Sequence, residues 1–358
     1  MHSSSPFVVS IVLLFSLPFI FFLGPQILPP KTLPAIPEPD EADDLALFRR
    51  ATLASVAAAG GGAAVLRRRL SSPPKIAFMF LINSDIAFAP VWELFFRGHE
   101  RLFNIYVHAD PLAELVLPPT KSFRGRFIRA KSTQRASPTL ISAARRLLAA
   151  ALLDDPANAF FALISQHCIP LHSFSYVYNA LISDPEVTSP AGSFHRRHRS
   201  FIQIVADDPF LHNRYIARGD NVMLPEVPFE SFRMGSQFFI LARRHALLVV
   251  RERRLWKKFR MPCLKKMRSS CYPEEHYFPT LLDMQDPEGC SGYTLTRVNW
   301  TDSVDGHPHT YLPGEISGDL ILDLRQSNST YSYLFARKFS PDCLKPLLAI
   351  AETFIFKD

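Results

Sequence analysis

The eight residues "KIAFMFLI", Lys75–Ile82, constrain this chain more than any other stretch. Apolar side chains stand at odd and even positions alike, so a strand here has no face left for water. The run is far too short to cross a membrane, and Pro73 and Pro74 punctuate its start. A strand buried on both faces belongs in a parallel sheet covered by helices. The next segments agree. "PVWELFFRGHE" (Pro90–Glu100) has a helical pattern with proline in its first turn, and "FNIYVHADP" (Phe103–Pro111) is a second apolar strand with a polar end. Strand, helix, strand is a βαβ unit. "RGRFIRA" reads as a short third strand, "TLISAARRLLAAALLD" (Thr139–Asp154) as a helix and "NAFFALISQHCIPL" (Asn158–Leu171) as another buried strand. "GSQFFILARRHALLVVRE" (Gly235–Glu252) reads as a strand running into a helix. The fold class is therefore α/β with a mainly parallel central sheet. Ligands of such sheets bind beyond the carboxyl ends of the strands, which puts His108, Asp110, Ser165, Gln166 and His167 at the mouth of a site.

Ahead of this body the first thirty residues contain no Asp, Glu, Lys or Arg, and Pro6–Leu28 is almost wholly apolar. As a helix that run is about 33 Å long, enough for a hydrocarbon core of roughly 30 Å. A cleaved signal peptide is the rival reading. Its basic start is missing and the run ends in "ILPPK", so an uncleaved anchor is preferred. Residues 29–73 read as a stem: a Pro-rich then acidic extended spacer (Leu28–Asp44), followed by an Ala-rich stretch that Gly60–Gly62 breaks. The sequons at Asn299 and Asn328, and four of five cysteines after residue 260, suit an oxidising lumen. Cys168, inside an apolar run, is the candidate buried free thiol. The layout expected is a short cytosolic tail (1–5), a span (6–28), the stem (29–73) and a lumenal body (74–358).

The net charge is +7, gathered partly in "LRRRL", "SFHRRHRSF", "LARRHA" and "RERRLWKKFRMPCLKKMR". A basic balance suits nucleic acid, anionic membrane or phosphate-bearing substrates. No zinc finger, RNA-binding signature or P-loop accompanies it, so nucleic acid is not an expected partner.

"CYPEEHYFPT" (Cys271–Thr280) sets two adjacent carboxylates among aromatics. Read locally it is a helix start, with Pro273 at the first position and Glu274 and Glu275 favoured in the first turn by the dipole. It also reads as a carboxylate at a pocket edge, where Tyr272, Tyr277 and Phe278 raise its pKa or stack on a ligand. The dipole opposes that rise, and the net direction is open.

Five segments in one order carry a resemblance: "KIAFMFLINSDIAFAPVWELFFRGHERLFNIYVHADP", "FALISQHCIPLHSFSYVY", "FRMGSQFFILARRHA", "CYPEEHYFPTLL" and "YLFARKFSP". They resemble the plant branch of the core-2/I-branching β-1,6-N-acetylglucosaminyltransferase family, from about Lys75 to Pro341. The resemblance implies a GT-A-like fold and inverting transfer of a sugar, most often N-acetylglucosamine, from a UDP donor to a glycan or glycoprotein acceptor. It implies no bound metal and a type II Golgi membrane protein. It places Glu275 as general base, with Glu274 as the other candidate. It places Lys338, with Arg337 beside it, at the diphosphate, and His108 and Asp110 at the nucleotide. Asp-x-Asp, the usual metal-holding motif of such folds, is absent from the chain. The second diphosphate cation is open among Arg297, His307, His309 and Arg325. Arg214, Tyr215, Glu226 and Glu230 fall in the acceptor segment, where the sequence departs most. Two alternatives stand beside this reading: a membrane-anchored glycan-binding or scaffold protein that has lost catalysis, and a transferase using UDP-xylose or UDP-glucuronic acid.

Overall fold

In a computed structural model the described residues are 38–60, 73–116, 120–182, 198–301, 303 and 306–358. The expected membrane anchor, 6–28, lies outside them. Among the described residues no helix is long and apolar enough to cross a membrane.

In chain order the elements that matter are α1 (Glu38–Gly60), β1 (Lys75–Ile82), α2 (Ala89–Phe96), β2 (Phe103–Ala109), α3 (Pro138–Asp154), β3 (Asn158–Ser165) and β4 (Ile169–Pro170). They continue with α4 (Phe174–Ile182), β5 (Ser200–Gln203), α5 (Leu211–Tyr215), β6 (Ile240–Ala242), α6 (Arg243–Arg251), α7 (Arg254–Phe259) and α8 (Pro273–Gln285). The last are β7 (Cys290–Gly292), β8 (Thr296–Val298), α9 (Gly318–Arg325), β9 (Phe335–Arg337) and α10 (Leu344–Ile350). The main sheet has the order β2-β1-β3-β6-β5-β7. β1 pairs in parallel with both β2 and β3, β6 runs antiparallel to β3 and β5, and β7 is again parallel to β5. A small sheet, β4-β9-β8, packs beside it. The expected strand "RGRFIRA" forms only a single bridge, Phe127 to Val107.

β1 shows why both parities are apolar. Ile76, Phe78, Phe80 and Ile82 face a core with α2, α4 and the small sheet. Ala77, Met79 and Leu81 face a second core with α3, α6 and α8. The first core is strongly aromatic: Phe78 meets Trp92, Phe95, Phe96, Phe103 and Phe335 mostly edge to face.

The segment read as an extended spacer is helical from Glu38 onward. Ala-rich sequence propagates a helix, and Glu41, Asp43 and Asp44 sit near its N-terminus, where the dipole favours them. The helix also packs: Phe48 is 6% exposed and Ala51 is fully buried, against α3 and α6. Cys263 and Cys271 form a disulfide just ahead of α8. Cys168, Cys290 and Cys343 are buried free thiols, the first as expected.

Candidate active site

"CYPEEHYFPT" is the start of α8, with Pro273 at its first position. One residue turns a helix by about 100°, so the adjacent carboxylates point to different surroundings. Glu274 turns inward and is 3% exposed. Its Oε1 accepts from the Ala136 N–H at 3.0 Å, while Oε2 is buried without a hydrogen bond. Burial pushes its carboxyl up to about 7, and the negative charge of Glu275 adds to the rise. Glu275 stands in the wall of a cleft and accepts from Arg214 Nη1 at 2.8 Å through Oε2. Burial pushes its pKa up, against the guanidinium groups of Arg214, Arg135 and Arg337. The direction left open by the sequence is thus upward for both acids, because burial outweighs the hydrogen bonds and cations that oppose it.

The backbone under Glu275 is held by one residue distant in the chain. Pro279 has no N–H, so the Glu275 carbonyl, four residues earlier, loses its helical donor. The Gly235 N–H fills that place at 2.9 Å. Gly235 can be nothing larger: a Cβ there would lie 1.9 Å from the Gln203 carbonyl oxygen. Its lack of a side chain serves this backbone crossing.

Two clefts meet at Glu275. One, of about 270 Å³, opens beyond the carboxyl ends of β1 and β3, along Ile82, Asn83, Ser165, Gln166 and His167. It is rich in cations: Arg135, Arg337 and Lys338 all line it. The other, of about 900 Å³, is lined by Gln203, Arg214, Ser236, Thr294 and Tyr333. Glu275, Phe238, Tyr272, Trp300 and Arg337 belong to both. Arg337 lies over the Phe238 ring, 4.3 Å from its centroid, with a buried Nε that has no hydrogen-bond partner. Burial pushes its pKa down, and also that of Lys338, helped there by Arg337 and Arg135. These are cations kept from full solvation beside one another, and a bound anion would relieve both costs. Arg135 donates to the Gly306 carbonyl at 2.9 Å and sits against His307. Among the described residues no three His, Cys, Asp or Glu side chains gather as metal ligands.

The structure corrects several expectations. His108 and Asp110 do not line either cleft. His108 is fully buried behind the wall, its Nε2 accepting from the Lys131 N–H at 3.3 Å, with Arg146 Nη1 at 3.5 Å. Burial pushes its pKa down to about 4. Asp110 accepts from the Thr133 N–H and Oγ1, each at 2.7 Å, and so shapes a loop that does reach the cleft. Tyr277 and Phe278 are fully buried and cannot stack on a ligand; Tyr272 and the 55% exposed Trp300 can. Of the four residues considered for a second cation, Arg325 is spent on the carbonyls of Leu171 and Phe354. His309 pairs with Glu315, Arg297 lies over Tyr333, and only His307 borders the cation-rich cleft. Arg135, which the sequence did not single out, lines that cleft with Arg337 and Lys338. Of the acceptor-segment residues, Arg214 alone reaches a cleft: Tyr215 donates to the Val227 carbonyl, Glu226 pairs with Lys258, and Glu230 borders neither cleft.

A model of the Core-2/I-branching enzyme family matches residues 76–325. The chain is also 28% identical over 314 residues to "Glycosyltransferase BC10" of Oryza sativa subsp. japonica, covering 74% of this chain and 74% of that protein.

Proposed function

The chain belongs to the Core-2/I-branching enzyme family and is a glycosyltransferase, and on that premise we propose that Glu275 is the general base of an inverting transfer from a UDP donor. The acceptor is a hydroxyl of a glycan or glycoprotein, and N-acetylglucosamine is the first candidate for the sugar. One observation carries the reading: Glu275 is the carboxylate common to the cation-rich cleft and the aromatic one. The UDP moiety lies in the first, against the carboxyl ends of β1 and β3. The acceptor lies in the second, with its reacting hydroxyl at the seam.

In the step proposed, the acceptor oxygen forms a bond to the anomeric carbon and its proton goes to Glu275. The bond from that carbon to the β-phosphate oxygen breaks, and its electron pair leaves with UDP. Lys338, Arg337 and Arg135 offset the charge that develops on the diphosphate, as fixed cations in a partly dry site do best. No metal takes part in this step. Glu275 suits the base role because burial raises its affinity for a proton while the charge of Arg214 opposes that rise. Tyr272 and Trp300 offer flat faces to sugar rings. The remaining parts of the proposal are a single span at 6–28 and a Golgi lumenal site.

The test is Glu275→Gln in the full chain. Transfer should fall by about 10²–10⁴-fold while UDP binding, by calorimetry, holds. Retained transfer would remove Glu275 from the role. A wild-type chain that binds no UDP, or binds it and transfers nothing from any of a panel of UDP-sugars, would favour a binding protein instead. The same panel, with and without EDTA, separates N-acetylglucosamine from xylose and glucuronic acid and tests metal independence.

A further inference from the structure

The acidic start of α1 has no role in the chemistry above, yet it meets four cations from further along the chain. Asp44 is 7% exposed and receives both Nε and Nη2 of Arg146, each at 2.7 Å. It also pairs with Lys131 Nζ at 3.2 Å. Around it Asp43 meets Arg129 and Glu41 meets Arg260. Arg146 is itself 3% exposed, on the inner face of α3. A buried bidentate pair of this kind is strongly directional, and a carboxylate removed from it leaves a buried cation unbalanced.

The far side of this cluster is the loop that enters the cation-rich cleft. Lys131 is held twice, by its Nζ on Asp44 and by its N–H on His108. His108 in turn touches Arg146. Two residues on, Thr133 is held by Asp110, and Thr133 and Arg135 line the cleft. Ala136 then closes the loop with a φ of 55° and gives its N–H to Glu274. The loop is therefore tied at one end to the N-terminal helix and at the other to the helix carrying Glu275.

We propose that Asp44 is a positioning residue for the transfer: through Arg146, Lys131 and His108 it sets the 131–136 loop, so that Arg135 meets the donor diphosphate. The helix read from sequence as part of a stem is, on this view, a working part of the donor site. The role rests on the donor reading above, since it acts through Arg135.

The test uses the full chain with Asp44→Asn, which keeps the volume and removes the charge. The donor KM and the UDP Kd should rise about tenfold, with the acceptor KM unchanged. Asp44→Glu should recover part of the loss. In an Arg135→Ala background the same Asp44→Asn change should add no more than about twofold, because both act through one loop. Should Asp44→Asn fail to fold, Lys131→Met cuts the tie on the loop side alone and should raise the UDP Kd in the same direction. Full additivity with Arg135→Ala, or an unchanged UDP Kd in a wild type that binds UDP, overturns the role of Asp44 and leaves the donor site standing. A wild type that binds no UDP overturns the donor reading and this role with it.

Discussion

Glu274 makes a prediction about how stability depends on pH. Its folded pKa of about 7 stands above the ordinary 4.5. A carboxyl whose pKa is raised on folding binds more protons when folded, so its contribution to stability is fully present below 4.5. That contribution is lost as pH rises, until it levels off above about 7. At about 1.4 kcal/mol per tenfold change in proton affinity, the loss is on the order of 3 kcal/mol. The size is physically reasonable for a carboxylate 3% exposed with one oxygen left unbonded. Five histidines act in the opposite sense, and burial lowers His172 and His245 among them. Burial lowers His108 and His167 to about 4 and His276 to about 3. Stability from them is present above 6.5 and lost as pH falls through those values. The total profile therefore mixes signs, and the clean quantity is a difference. Glu274→Gln keeps an acceptor for the Ala136 N–H and cannot ionise. Urea unfolding of both proteins between pH 4.5 and 8 should show wild type losing about 3 kcal/mol relative to the variant as pH rises. A flat difference, or one of opposite sign, would refute an inward, proton-holding Glu274. Burial and the neighbouring charge of Glu275 both favour a proton on Glu274.

Arg214→Ala removes the closest charge opposing burial at Glu275. The acidic limb of the pH profile of kcat/KM should move to higher pH, and an unmoved limb would mean that Glu275 does not set it. Arg337→Gln should weaken UDP by about 10–100-fold, the worth of hydrogen bonds to a charged group, and uridine hardly at all; equal losses would place Arg337 away from the diphosphate. Gly235→Ala should destabilise the fold by at least about 1–3 kcal/mol, since its Cβ meets the Gln203 backbone. Unfolding at the wild-type urea midpoint would show that the crossing gives way freely.

Much of the architecture is legible along the chain. β1 shows as an unbroken apolar run because it is buried on both faces, β2 shows as a mainly apolar one, and α3 shows by its length and alanines. The start of α8 shows because Pro273, Glu274 and Glu275 satisfy a helix N-terminus by themselves. Motif order then points to Glu275, Arg337 and Lys338, all of which line the clefts. Periodicity is local, and it reports which face of an element is dry without reporting what covers it. Hence the sequence could not show that Arg214 meets Glu275 from 61 residues away, or that Arg135 joins the cations of β9. His108 and Asp110 were placed at the right end of the right strand, but their side chains turn to Arg146 and Thr133 behind the wall. The acids before the body looked like a solvated spacer because their partner, Arg146, is 102 residues further on, inside an apolar helix. The sequence by itself determined the buried strands β1, β2 and β3, the helices α2 and α3 between them and the carboxylate at the head of α8. Tertiary packing decided which charges are buried beside which, and burial is what moves a proton affinity or leaves a cation in want of an anion.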